Sequence, residues 1–414
     1  MLLFLCTIYY ICINIYTMNK LRDKSNQVIG SVPMRFSRHL NEQIDWNHRL
    51  VGIIGPRGVG KTTLMLQQIV HRFGNSYEAL YISLEDFYFS SHSLYQLAYD
   101  FRNRGGKCLF VDEVHKQANW SQDLINIFHN IQDLSVVFSG SSVIDMLKQG
   151  ADFCKNVKTY NLQGLSFREY LKYIGVADLP VFSLEDIINN HRDIALDLSS
   201  RFKPLFHFDN YLVNGYYPST YNQTDNTLQN IEQLLMQAIE VDLNYLEGYD
   251  PHNAGNMKQL FYAIAQNAPF KPNILRLSEK VGVHRNTLIV YLFHLEKAGL
   301  IQLLYPAGSI ISILQKPQTI FLNNSNIHTL LSERELTAGT ISKTFFMNQL
   351  SHLWSIKKPN NGDFEVDAKW IFEVGTYKKP SKFLVNNPHA FSATDGIEVG
   401  SNHTIPLWLF GLLY

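Results

Sequence analysis

Val51-Gly52-Ile53-Ile54-Gly55-Pro56-Arg57-Gly58-Val59-Gly60-Lys61-Thr62-Thr63 decides the fold of this 414-residue chain. It reads as a short apolar strand, a glycine-rich turn, and a helix that starts near Thr62 and runs through Leu64, Leu66 and Ile69. Inside it, Gly55, Gly60, Lys61 and Thr62 complete the pattern G-x-x-x-x-G-K-[ST]. Glycines let the backbone fold round a phosphate with its N–H groups turned inward, where a Cβ would clash. The helix start adds unpaired N–H groups and a positive dipole end. Lys61 can reach the β- and γ-phosphates of ATP, and the Thr62 hydroxyl can hold Mg²⁺. Gly55, Pro56, Arg57, Gly58, Val59, Gly60, Lys61, Thr62 and Thr63 are therefore the candidate cofactor-binding residues. Average residue usage produces the pattern in roughly 1 in 100 chains of this length. The flanking strand and amphipathic helix argue against a plain strand–turn–helix with a glycine cap. This stretch reads as a nucleotide-binding loop.

Downstream, Glu78 to Asp86 is a buried strand ending in carboxylates, and Ser93 to Arg104 is helix-like, closed by Gly105-Gly106. Leu109-Phe110-Val111-Asp112-Glu113 is an apolar run ending in two acids, with Asp112 lying 51 residues after Lys61. That distance leaves room for one strand and two helices. Ser135 to Ser142 is a fourth strand ending in hydroxyls. Strands alternating with helices imply a parallel sheet with the site at the strands' carboxyl ends. Asp112 joins Thr62 as a candidate Mg²⁺ residue; Lys61, Glu113 and Ser139 are the candidate catalytic residues. Glu113 would orient and polarise the attacking water. Ser139 sits where a hydroxyl could sense the γ-phosphate, although strand-end serines as often form turns. Asp86 is open between a site role and a surface carboxylate.

From Asn256 to about Leu322 short helices give way to strands. Asn273 to Val283 followed by His284-Arg285-Asn286-Thr287-Leu288 reads as helix-turn-helix, with Gly282 in the turn and Leu277, Val281, Leu288, Leu292 and Leu295 at helical spacing. Ile301–Tyr305 and Ser309–Leu314, around Pro306-Ala307-Gly308, are expected to form a two-stranded wing. Between Lys271 and Lys297 five basic residues face two acidic ones. Duplex DNA contact through Arg285 and Asn286, and a wing used for packing, are both open.

Composition bounds the rest. Hydrophobic residues make up 46% and charged residues 17%, as in a globular chain of two to four domains. The formal net charge is zero, so any nucleic-acid binding must be local. Cys6, Cys12, Cys108 and Cys154 show no metal-type spacing and read as small buried hydrophobes in a reducing compartment. Met1 to Thr17 carries no charge. It lacks the basic start and cleavage site of a secretory signal. A membrane anchor at the lower length limit, with Lys20, Arg22 and Lys24 keeping the rest cytoplasmic, is one reading. An over-long start, with Met18 as the true first residue, is the favoured one.

The lead-in, Gly55–Thr62, Leu109–His115, Trp120, Phe138–Ser142 and Leu162-Gln163-Gly164-Leu165-Ser166-Phe167-Arg168-Glu169-Tyr170 together resemble bacterial and archaeal AAA-type P-loop ATPases with a C-terminal domain of unknown function. The resemblance implies an α/β fold. Its parts are a P-loop NTPase parallel sheet of the additional-strand, catalytic-glutamate kind, a helical lid, a winged helix and a small α+β endonuclease-like domain. The expected segments are 1–33 leader and linker, 34–166 ATPase core, 167–253 lid, 254–328 winged helix and 329–414 endonuclease-like domain. Asp152-Phe153-Cys154-Lys155-Asn156 stands where relatives carry arginines, and lysine lacks the planar fork.

In an active endonuclease-like domain, acids on two strands bind Mg²⁺ and a nearby lysine assists water. Asp363 and Glu373 would be those acids; Gly375 holds the lysine position, with Lys378 three residues on. Ser342-Lys343 replaces the Arg-Glu pair of relatives. Pro406 to Leu413 looks like a buried last strand. The expected function is a cytoplasmic, ATP-binding and ATP-hydrolysing protein whose nucleotide state moves the winged helix and a catalytically silent nuclease-like domain. Alternatives are a DNA-binding switch with ATP as ligand, and an ATP-gated nuclease. Expected partners are duplex DNA, further copies of the chain, and a membrane only if residues 1–17 are an anchor.

Overall fold

Five strands carry the loop in the computed structural model, which describes residues 18–144, 146–221, 227–246, 248–308, 316–333, 337–378 and 381–414. They are β1 (Leu50–Gly55), β2 (Ala79–Ser83), β3 (Cys108–Asp112), β4 (Ser135–Ser141) and β5 (Lys158–Asn161), in the order β2-β3-β4-β1-β5. Every neighbouring pair is parallel. All residues of β1 and β3 are buried, which is why both read as continuous apolar runs rather than alternating ones. Gly52 marks a close approach: a Cβ there would lie 2.6 Å from the Phe138 ring of β4. Helices Lys61–Phe73, Leu94–Asn103 and Trp120–Asn130 connect the strands, and Ser93 caps the second by accepting from the Gln96 N–H at 3.1 Å. Leu80, Leu97, Phe101, Leu109, Leu124 and Phe138 are buried in the shared core. This α/β sheet is that of a P-loop NTPase. Insertion of β4 between β1 and β3 brings Ser139 beside Asp112.

The described residues divide into two compact units: those up to Gly55 with Gly60–Gln163, and Pro56–Val59 with Gly164–Tyr414. In the second, helices Phe167–Tyr173, Leu184–Arg201, Pro204–Asn214, Thr227–Glu240 and Ala254–Ala265 precede the pair Ile274–Val281 and Arg285–Lys297. Gly282 ends the first of that pair in a left-handed conformation, φ +73°, which glycine adopts without a Cβ penalty. Then come β6 (Ile301–Leu304), β7 (Thr319–Leu322) and helices Ser325–Leu331 and Ala338–Leu350. A mixed sheet follows, built from β8 (Ile356–Lys357), β9 (Phe364–Val366), β10 (Trp370–Thr376), β11 (Ala390–Asp395) and β12 (Thr404–Pro406) in the order β12-β11-β10-β9-β8. Strands β9 and β10 are antiparallel, whereas β10, β11 and β12 run parallel.

The Leu165-to-Tyr170 string has a structural reason. Ser166 caps its helix through the Glu169 N–H at 3.1 Å and donates its hydroxyl to the Tyr414 carbonyl at 2.6 Å. Arg168 donates to the same carbonyl at 2.9 Å and to that of Leu179 at 3.0 Å.

Two expectations change, and a third falls partly outside the described residues. Within the described residues β6 pairs with β7, Ile301 facing Leu322, while Ser309–Leu314 lies outside them. The final apolar run is a buried 3-10 helix, Leu407–Leu412, and β12 is the last strand. An unbroken apolar run fits either element, because burial on all sides erases the period. Cys154 is exposed, whereas Cys108 is buried and its thiol is pushed up to about 12 by that burial; Cys6 and Cys12 fall outside the described residues, as does the stretch to Thr17. On the short helix Ala151–Asn156 it is Phe153 that turns inward, against Trp120, which leaves the next position facing out. Among the described residues no helix is long and apolar enough to cross a membrane.

Candidate functional site

Gly60, with φ +99°, leads into the helix Lys61–Phe73, and Gly58 has φ +82°. Two left-handed positions within three residues turn the chain sharply at the strand's end, as the glycine pattern requires. Lys61 is buried and its ammonium donates to the Gly55 carbonyl across the loop at 2.9 Å. The Thr62 hydroxyl donates to Asp112 Oδ2 at 2.6 Å, joining the helix start to the end of β3. Oxygen ligands of this kind, one hydroxyl and one carboxylate, suit Mg²⁺.

Asp112 is 3% exposed, and among the described residues its carboxylate is surrounded by donors. Tyr81, on β2, donates its phenol to Oδ2 at 2.8 Å. Burial, then the Asp112 carboxylate itself, raises the Tyr81 pKa far above the ordinary phenol value, so this proton stays in place. The Ser139 hydroxyl donates to Oδ1, and the Glu113 N–H reaches Oδ1 at 3.1 Å and Ser139 Oγ at 3.2 Å. Ser139 thus braces the two acids.

Glu113 adopts φ +55°, ψ +46° at the turn out of β3. For a residue with a Cβ that conformation costs about 1–2 kcal/mol. It is followed by Val114–Lys116, where buried His115 lies with Nε2 3.2 Å from Glu113 Oε2. The other ring nitrogen, Nδ1, accepts the Ser141 N–H at 3.3 Å, so in the neutral ring the proton is on Nε2, facing the carboxylate.

At the loop's crest, Arg57 forms a two-point ion pair with buried Asp242. Leu234 and Ser219 close on Gly58: a Cβ at Gly58 would meet Leu234 at 2.6 Å, and Ser219 donates to the Gly58 carbonyl at 3.1 Å.

Residues 47–171 match the AAA domain family. That match spans the loop Gly55–Thr62 and the acidic strand end Asp112-Glu113. Residues 205–336 match a second family, described as a domain of unknown function. Near the two ends of that match, buried Asn326 donates to the Tyr211 and Leu212 carbonyls at 3.1 and 3.0 Å and accepts the Tyr216 N–H at 2.8 Å. An uncharacterized protein of Methanocaldococcus jannaschii is 24% identical over 383 residues, covering 85% of this chain and 80% of the relative.

Solved structures that are similar include a replication initiator DnaA bound to AMPPCP and single-stranded DNA, 14% identical, covering 66% of this chain and 86% of that one, at a TM-score of 0.30. A katanin structure is 13% identical, covering 60% and 71%, at 0.28.

The structure brings together Gly55, Lys61, Thr62, Asp112, Glu113 and Ser139. Pro56, Arg57, Gly58 and Val59 form the crest, and Thr63 lies in the first turn of the helix. Sequence reasoning gave no role to Tyr81, His115 or Asp242. Tyr81 could have been found as the one polar tip inside an apolar strand; Asp242 could not, being 185 residues from Arg57.

Proposed function

We propose that this protein binds ATP at Gly55–Thr62 and hydrolyses it, coupling nucleotide state to the C-terminal region. The observation that carries the reading is the 2.6 Å bond between Thr62 and Asp112 beside a backbone-strained Glu113. Strain of this kind persists where surrounding contacts hold it, and it concentrates at functional sites.

Thr62 and Asp112 would hold Mg²⁺, which supplies neutralisation of charge on the phosphate oxygens. Lys61, whose ammonium is held by the Gly55 carbonyl at 2.9 Å, would bind phosphate as a point charge. Glu113 would orient water and take its proton, with the His115 Nε2 standing 3.2 Å from the same carboxylate. Tyr81 and Ser139 aim the Asp112 carboxylate by donating to it.

A second reading, a DNA-binding switch, is favoured by exposed Arg285 and Asn286 on the first turn of Arg285–Lys297, while Leu288, Leu292 and Leu295 face inward. Measuring the ATPase rate across a range of duplex DNA concentrations, with wild type and Arg285→Ala, tests both. Coupled function predicts ATP turnover that duplex DNA stimulates and that stimulation lost in Arg285→Ala. Absence of turnover contradicts the first reading, and turnover contradicts a switch in which ATP is only a ligand.

A further inference from the structure

An open cleft of about 260 Å³ lies between the helix Ala338–Leu350 and the β9–β10 edge, lined among others by Lys343, Asp363, Glu373, Thr376, Lys378 and Ser392. Both acids singled out from the sequence face it, and so does Lys378, although β10 continues to Thr376. An endonuclease-like domain implies a divalent cation on such acids. The residues present do not fit one. Asp363 Oδ1 accepts the Lys343 ammonium at 2.7 Å, and Oδ2 accepts the Val374 N–H at 2.9 Å. Lys358 stands 3.8 Å from the same Oδ1, its ammonium also donating to the Gly362 carbonyl at 2.7 Å. Glu373 accepts the Ser381 hydroxyl at 3.0 Å. Among the described residues no group of three histidines, cysteines or acids is arranged to hold a metal ion.

We infer that Lys343 is a built-in monovalent cation standing in for the metal, so that this cleft is a cation-independent site. The geometry supports this in three ways. The ammonium sits on the carboxylate oxygen a metal would need. The second oxygen is committed to a main-chain donor within β10, so the carboxylate cannot turn away without breaking a strand-edge bond. Lys358 adds a second positive charge next to the same oxygen, and a divalent ion entering there meets both at short range in a partly desolvated cleft. This inference concerns a site distinct from the AAA domain's and does not depend on ATP turnover.

The test is titration of the nucleotide-free full-length protein with Mn²⁺, following free ion by electron paramagnetic resonance. Wild type and Asp363→Asn should bind Mn²⁺ identically. Lys343→Glu, which supplies a third carboxylate and removes the ammonium, should gain one site at least about tenfold tighter than anything in wild type. That site should vanish when Asp363→Asn is added. A Mn²⁺ site in wild type that Asp363→Asn abolishes would overturn the inference, as would a folded Lys343→Glu that gains no site. Should Lys343→Glu fail to fold by circular dichroism, Lys343→Gln takes its place with a weaker gain expected, and the wild-type comparison stands alone as decisive.

Discussion

Arg57 of the nucleotide loop holds Asp242 side-on, Nη2 to Oδ1 at 2.6 Å and Nε to Oδ2 at 3.2 Å, with the Asp242 side chain 3% exposed. Gln237 adds a longer contact to the same guanidinium at 3.4 Å. A planar fork on a planar carboxylate fixes orientation as well as charge, which lysine at position 57 could not do. The loop crest is thereby anchored by the helix Thr227–Glu240 and the turn after it.

Asp242→Asn keeps the shape and removes the charge. It leaves the guanidinium half-buried against a neutral amide, at a cost of about 1–3 kcal/mol. We expect a lowered Tm and weaker binding of a fluorescent ATP analogue, because the crest is no longer preorganised. An unchanged affinity in a folded Asp242→Asn protein would show that the pair has no bearing on the nucleotide loop.

Tyr81→Phe removes one donor from Asp112 while Thr62, Ser139 and the Glu113 N–H remain. A neutral donor to a charged acceptor contributes about 1.5–3 kcal/mol. ATP turnover should fall by about tenfold to a hundredfold, and Tm should fall by a few degrees, since the ring keeps its packing but loses its bond to Asp112. Equal kcat values in the two proteins would remove Tyr81 from the site.

Acid stability has a readable sign. Burial pushes the His294 and His328 imidazoles down to about 4. Between pH 6.5 and 4 the unfolded chain takes up protons at both that the folded chain refuses, so stability falls as pH drops through this window. Glu296 works against them: burial raises it to about 7, despite the Leu303 N–H at 2.9 Å, so its contribution is full below pH 4.5 and is lost as pH rises through 7. Two opposing one leaves a net loss on acidification that is small at pH 6.5, where the unfolded imidazoles are half protonated, and approaches about 1.4 kcal/mol per pH unit near pH 5. Unfolding measured at pH 6.5 and 5 should show this loss, flattened in His328→Gln and steepened in Glu296→Gln. A slope that neither variant alters contradicts the assignment.

What the sequence made legible is what is local. The strand–loop–helix of Val51–Thr63, the acids after Leu109-Phe110-Val111 and the helix pair around Gly282 each announce themselves within about a dozen residues, through residue types that few other arrangements tolerate. Long-range partners left no such mark. Nothing near Arg57 points to Asp242, and nothing near Asp363 points to Lys343 as its counter-ion except comparison with the acid expected there. Leu407–Leu412 shows the other failure: with every side buried, strand and 3-10 helix look alike in sequence. His115 was visible as part of a familiar string, yet its contact with Glu113 arises because the left-handed turn at Glu113 folds the carboxylate back over the following residues.

The most direct test of ATP binding and hydrolysis at this site is a single-turnover measurement with protein in excess over γ-labelled ATP, comparing wild type, Lys61→Ala and Glu113→Gln. Wild type should bind ATP and release phosphate, and Lys61→Ala should fail to retain the nucleotide. Glu113→Gln should hold ATP unhydrolysed, its rate lower by about 10²–10⁴-fold for loss of the general base. Phosphate release from Glu113→Gln at the wild-type rate would contradict the account.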